Sequence, residues 1–202
     1  MRIYITLILP FLQIHNTYLF HTGKIWRSLY YFIIIFTSKS IMIRPMTLHD
    51  IAEIVAIYAH YVNNTVITFD TEVPSEAEMR QRLAPVIENF PAWVCVEDGK
   101  VIGYCYAHEW KTKKAYNTTV ETTIYLHPDY PGRGYGRSLM NQLIEDCRNR
   151  SFHVLVACIT IPNAPSVKLH EKLHFKQVSS FHEVGRKFDR WLDVADYELI
   201  IE

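Results

Sequence analysis

Apolar residues return at helical spacing in Ile51, Ile54, Val55, Tyr58 and Val62. This predicts an amphipathic helix ending near Asn63-Asn64, with Asp50 as its cap. Residues 66–70 read as extended. Ser75 and Glu78 have the spacing of a capping box and open a second helix that runs to about Asn89. Residues 92–96 and 101–107 are rich in strand formers and flank Asp98-Gly99, which predicts a hairpin with a tight turn. A further strand covers about residues 118–127. Leu139, Met140, Leu143, Ile144 and Cys147 then mark a third helix to about Arg150, followed by a strand at residues 153–160. A turn at residues 161–165 leads into a short helix through Leu173, and strands near 175–186 and 191–201 close the chain. Early helices, an antiparallel meander, one crossover and a terminal hairpin predict an α/β (α+β) fold, with a mixed, mostly antiparallel twisted sheet flanked by helices.

The chain changes character near Ile41. Residues 1–41 carry Arg2, Lys24, Arg27 and Lys39 but no acid, and hold apolar runs at 3–14 and 29–36. The second run falls short of the roughly 20 apolar residues that a spanning helix needs. The first is interrupted by Pro10, Gln13, His15 and Asn16. A weak anchor or signal, a folded extension and a start codon set too far upstream are the three readings. The last is preferred, because Met42-Ile43-Arg44-Pro45 followed by a helix resembles a natural beginning. Residues 42–202 then form one domain of 161 residues, large enough for a full core. Without the four leader bases, 17 Lys and Arg face 21 Asp and Glu, a formal charge of about −4. That balance disfavours a nucleic-acid partner. The four cysteines, Cys95, Cys105, Cys147 and Cys158, lack Cys-x-x-Cys spacing and sit in apolar stretches, as reduced core thiols of a cytoplasmic protein would. None of the ten histidines has a metal-binding spacing on an evident helix, so no metal is expected.

Chemistry concentrates between Thr119 and Met140. Pro131, Gly132, Arg133, Gly134, Tyr135 and Gly136 form a glycine-rich turn that opens the third helix. Unpaired N–H groups and the positive end of the helix dipole suit such a turn to a pyrophosphate. Glu121 lies on the strand that feeds it, a candidate base one strand-length from a candidate phosphate site. A dinucleotide fold would need Gly-x-Gly-x-x-Gly and an acid about 20 residues further on, and a triphosphate loop would need Gly-Lys-Ser/Thr. Gly132, Gly134 and Gly136 have a different phase, and residues 153–160 carry no acid. An inert connection stays open on these features alone.

Arg133-Gly134-Tyr135-Gly136 at the helix start, and Asn163 followed by Leu169-His170-Glu171-Lys172-Leu173-His174-Phe175, complete a longer pattern. In this order the elements resemble the GNAT superfamily of acetyl-CoA-dependent N-acetyltransferases. Thr119-Val120-Glu121-Thr122-Thr123-Ile124-Tyr125 and Pro162-Asn163-Ala164-Pro165-Ser166-Val167-Lys168-Leu169-His170-Glu171 look like its phosphinothricin acetyltransferase branch. Trp110-Lys111, Ala115-Tyr116 and Ile67-Thr68-Phe69 extend the match, which covers residues 42–202.

The resemblance implies a GNAT-like fold and acetyl-CoA as co-substrate. It implies that Thr123, Ile124, Tyr125 and Leu126 offer backbone groups to the pantetheine arm, with Asn163 assisting. An Asx turn before Pro165 is the alternative role for Asn163. The pyrophosphate would rest on residues 131–136, with charge from Arg133 and Arg137. Glu121 matches the proposed general base, and His170 a second catalytic position. A solvated or salt-bridged face residue and a helix-surface histidine are the plainer readings of these two. Phe69, Lys111, Lys113 and Tyr116 match positions around a small amino-acid substrate, and two lysines suit an anionic partner; ordinary loop charge is their alternative. Three departures stand out: Pro131 lacks an N–H, Lys113 replaces an arginine, and His174 replaces a glycine. The expected activity is acetylation of the α-amino group of a small amino acid or analogue, such as phosphinothricin or methionine sulfone or sulfoximine, by a homodimer. Acetylation of protein or polyamine amines, and a non-catalytic acyl-CoA sensor, are the rivals.

Overall fold

The computed structural model describes residues 41–201. The readings made for residues 1–40 lie outside the described residues. The strands are β1 (Ile41–Pro45), β2 (Ala92–Glu97), β3 (Lys100–Glu109), β4 (Thr119–Leu126), β5 (Val154–Ile161), β6 (Lys176–Gln177), β7 (Phe181–Lys187) and β8 (Arg190–Ile200). The helices are α1 (Ile51–Asn64), α2 (Glu76–Asn89), α3 (Tyr135–Asn149) and α4 (Ala164–Lys172). The sheet order is β1-β2-β3-β4-β5-β8-β6, with β7 also paired to β8. Every pairing is antiparallel except β4 with β5, which α3 joins as a crossover. The expected mixed sheet is therefore present.

Residues 92–96 and 101–107 of β2 and β3 carry no charged side chain because helices cover both sheet faces. Cys95, Ile102 and Cys105 pack with Leu139, Met140, Leu143 and Cys147 of α3. Their strand neighbours Val94, Val96, Val101 and Tyr104 pack with Ile51, Ile54 and Ile57 of α1 and with Met79 and Leu83 of α2. Period-two alternation thus divides one apolar run between two cores. Truncating fully buried Leu143 to Ala would remove about 2–5 kcal/mol.

Local signals set several boundaries. Ser75 accepts from the Glu78 N–H while Glu78 accepts from the Ser75 N–H at 2.7 Å, the expected capping box. Asp98 and Gly99 take φ of 51° and 82° in a two-residue hairpin turn. Asp50, by contrast, does not cap α1 with its side chain. Its carboxylate accepts from the Thr47 N–H at 2.8 Å and from Arg44 at 2.6 and 2.9 Å, which closes a 3-10 turn, Leu48–Asp50, ahead of α1.

Residues 66–70 bend rather than extend, because their bonds go to side chains instead of a strand. Thr160 donates to the Ile67 carbonyl at 3.3 Å and Lys187 to that of Thr68 at 2.9 Å. Tyr58 meets Thr68 Oγ1 at 2.7 Å and donates to Asp70 at 2.9 Å. The strand expected at 175–186 is split into β6 and β7, and β7 pairs irregularly with β8 between Phe181 and Gly185.

Candidate active site

β4 and β5 are in register only from Thr119 with Val154 to Glu121 with Val156. Past Glu121 no pairing joins them, so residues 122–126 lose their partner on that edge while β3 still pairs the other. A cleft of about 270 Å³ occupies the opening, and Glu121, Thr123, Ile124, Tyr125, Asn163 and His170 are among its lining. Two residues distant in sequence, Glu121 and His170, are thereby brought to one cavity. Glu121 is a half-buried side chain whose pKa is raised, chiefly by burial and further by Asp196, against an opposing pull from His108. It is a better proton acceptor than an ordinary exposed glutamate.

His170 is not a helix-surface residue, as the plainer reading had it. It is buried at 3% exposure, facing the cleft from the last turn of α4. Its Nδ1 lies 2.9 Å from the Ser166 carbonyl, which only accepts, so Nδ1 carries the hydrogen. Burial lowers the pKa of this imidazole despite that bond. A neutral ring leaves Nε2 with its lone pair, so His170 accepts a proton before it can donate one. Asn163 lines the same cleft and also caps α4, accepting from the Ser166 N–H at 3.3 Å. Its local bonding is thus a helix cap, not an Asx turn to Pro165, which has no N–H to give.

The glycine turn divides its tasks. Gly132 and Gly134 have φ of 69° and 84°, in the left-handed region, and Gly134 immediately precedes α3. Gly136 is a packing residue, since a Cβ there would come within 3.2 Å of Leu126 and 3.4 Å of Leu169. Arg133 does not extend freely from the turn. It lies 3.5 Å from buried Glu97 and stacks on Tyr130, and the Tyr135 hydroxyl donates to the same carboxylate at 3.0 Å. Arg137 is exposed and borders a separate groove against the chain end. The Leu126 carbonyl already accepts from Tyr61 at 2.6 Å, and Leu126 is not part of the cleft wall.

Among the proposed substrate residues, Phe69 lines the cleft, with its ring lying on Gly185. Lys111, Lys113 and Tyr116 do not line it. Lys111 instead stacks on Trp110, 3.9 Å from the ring centroid, with Tyr116 at 5.4 Å. Among the described residues no three His, Cys, Asp or Glu side chains gather as a metal ion would need, and no helix is long and apolar enough to cross a membrane.

Comparison with known proteins adds the deciding observation: residues 43–195 match the acetyltransferase (GNAT) domain. The chain belongs to the GNAT acetyltransferase family. It is an acetyl-CoA-dependent N-acetyltransferase. This acetyltransferase is 38% identical over 165 residues to phosphinothricin N-acetyltransferase of Streptomyces coelicolor, covering 80% of this chain and 96% of the relative. It is 35% identical to L-methionine sulfoximine/L-methionine sulfone acetyltransferase of Salmonella typhimurium, covering 76% of this chain and 90% of the relative. A solved phosphinothricin acetyltransferase from Sinorhizobium meliloti, in complex with AcCoA, superposes with a TM-score of 0.77 at 34% identity, over 80% of this chain and 88% of that one.

Three residues around the site of this GNAT acetyltransferase escaped sequence reasoning. His108 faces Glu121 across the β3–β4 register. Its signal was weak, because the connection 110–118 between β3 and β4 is too long to fix which residue stands opposite Glu121. Cys158, read as a core thiol, is exposed and lines the cleft. Its strand neighbours are buried, and only the loss of β4 as a partner opens this position. Although the residue meets solvent in the cleft, partial desolvation of its sulfur by the surrounding strands, together with Glu121 and Asp196, pushes its pKa up to about 12, so it stays a thiol. Asp196 is opposite Cys158 on β8.

Proposed function

We propose that this GNAT acetyltransferase transfers the acetyl group of acetyl-CoA directly to the α-amino group of a small amino acid or amino-acid analogue of the phosphinothricin or methionine sulfone/sulfoximine kind. The observation that carries the reading is the convergence of Glu121, His170 and the unpaired edge of β4 on one cleft of about 270 Å³. The names of the two curated relatives support the chemical class.

In this reading the free backbone groups of Thr123, Ile124 and Tyr125 hold the pantetheine arm, and the left-handed turn at Gly132 and Gly134 receives the pyrophosphate. Glu121 removes one proton from the acceptor ammonium, since only the neutral amine has a lone pair to attack the thioester carbon. Backbone N–H groups near Tyr125 stabilise the oxyanion that forms. As the C–S bond breaks, Nε2 of His170 takes the second proton from nitrogen and passes it to the leaving thiolate. Phe69 shapes the acceptor side of the cleft; Lys111, Lys113 and Tyr116 contribute only if their loop moves against it. The exposed Phe181, Val184 and Trp191 on β7 and β8 support a homodimer, and four free cysteines support a cytoplasmic location.

A thiol-release assay with acetyl-CoA against phosphinothricin, methionine sulfone, methionine sulfoximine, ordinary amino acids, a diamine and a peptide tests the assignment. Turnover on the amino-acid analogues is the expected result. Turnover confined to the peptide or the diamine overturns it.

A further inference from the structure

His108 on β3 stands directly opposite Glu121 on β4, and its Nε2 is 3.9 Å from Glu121 Oε1. Its Nδ1 is 3.0 Å from the Glu109 carbonyl oxygen, which accepts, so Nδ1 carries the hydrogen. Nε2 is the nitrogen left to receive a proton, and it faces the carboxylate. His108 also borders a second cavity, of about 260 Å³, shared with Tyr58, Arg82 and Tyr106. The histidine therefore stands between the cleft that holds Glu121 and a separate opening toward α2.

Acetylation of an ammonium by a thioester yields an amide, a thiol and one proton. If Glu121 takes that proton, it must lose it before the next turnover, and substrates seated in the cleft would cover the part of its side chain that meets water. We propose that His108 is a positioning residue for Glu121: across the 3.9 Å gap, through a small side-chain movement or one bridging water, it takes the proton from the carboxylate on Nε2 and releases it to solvent through the cavity on the α2 side. The proposal rests on Glu121 as the base.

The neighbouring groups leave His108 this task. Glu121 is faced by Asp196 from β8 and by Cys158 from β5. Asp196 accepts from Ser179 at 2.9 Å, and Cys158 is held as a thiol. Around His108, the Tyr106 ring is 5.8 Å away between centroids, Arg82 is bound to Asp70 at 2.6 Å, and burial pushes the Tyr58 hydroxyl up to about 12. Tyr58 and Cys158 thus hold their protons, and Arg82 and Asp196 are engaged with Asp70 and Ser179.

The test compares wild type, His108→Gln, His108→Ala and Glu121→Gln, with phosphinothricin as acceptor, folding being checked by circular dichroism. His108 is about one-third exposed in its side chain, so these substitutions leave the core untouched. The relay predicts a kcat at least about tenfold lower in both His108 variants, an acetyl-CoA KM within about twofold, and partial rescue of His108→Ala by added imidazole. It also predicts that the acid limb of kcat/KM moves to higher pH, because the histidine charge that lowers the Glu121 pKa is gone while burial and Asp196 remain. Wild-type turnover and pH profile in the His108 variants, or a loss that imidazole does not restore, overturn the relay. Full turnover in Glu121→Gln overturns the base and the relay together, whereas an inactive Glu121→Gln beside unaffected His108 variants overturns the relay alone.

Discussion

Phe175 stands edge-on to His170, with ring centroids 5.1 Å apart, and donates its backbone N–H to the His170 carbonyl at 3.0 Å. The His174 N–H donates to Glu171, also at 3.0 Å, which completes a Schellman closure at the end of α4. The same closure that ends the helix therefore fixes the backbone and the ring of the histidine facing the cleft.

That closure places His174 at φ 68°, a left-handed conformation that L side chains adopt reluctantly. His174→Gly should therefore raise unfolding stability by about 1 kcal/mol, as measured by urea denaturation, with kcat nearly unchanged. An unchanged or lower midpoint would mean that His174 contacts compensate the strain.

Glu121 stabilises the fold least when it is charged. Its folded pKa is raised above the unfolded value, so the native state binds the proton more tightly and stability falls as pH rises through that range. Glu121→Gln should melt at a higher temperature than wild type at neutral pH, and the gap should narrow as pH falls toward the ordinary glutamate range. A variant that melts lower at neutral pH would contradict the stated environment of this carboxylate.

Gly185 leaves room for the Phe69 ring, because a Cβ at that position would overlap it. Gly185→Ala should displace Phe69 from the acceptor side and raise the KM for the amine about tenfold, leaving that for acetyl-CoA within about twofold. Steady-state kinetics with each substrate varied separately distinguishes the two. Equal changes in both would remove Phe69 from acceptor selection.

Tyr61 ties α1 to the splayed end of β4 through its 2.6 Å bond to the Leu126 carbonyl. Tyr61→Phe removes the donor and should destabilise the chain by about 1 kcal/mol, read from thermal or urea unfolding. It should also weaken acetyl-CoA binding in calorimetry, since residues 123–125 are the edge that the co-substrate meets. Unaltered stability would mean that the carbonyl finds another donor.

Local chemistry was the legible layer of this fold. Ser75 with Glu78, and Asp98 with Gly99, each fix their own backbone, so their turns could be read without knowledge of any neighbour. The motifs around Glu121 and His170 also pointed to these two residues, and both line the cleft. What could not be read depends on which segments meet in space. Asp50 looked like a cap until Arg44 and Thr47 claimed its oxygens. Cys158 looked buried because the strand around it is apolar, yet the divergence of β4 from β5 uncovers it. Arg133 looked free to meet phosphate, but Glu97 lies in reach from β2. The loop lysines were read from the resemblance, and in this structure Lys111 stacks on Trp110 and Tyr116 instead.

The central claim is that the opening between β4 and β5 takes acetyl-CoA and that Glu121 then deprotonates the amine. Isothermal titration of acetyl-CoA into wild type and Glu121→Gln, paired with thiol-release turnover of the same samples, tests it most directly. The account predicts equal affinity for acetyl-CoA and a turnover lower by about a hundredfold or more in the variant. No binding by the folded wild type, or undiminished turnover in Glu121→Gln, would contradict it.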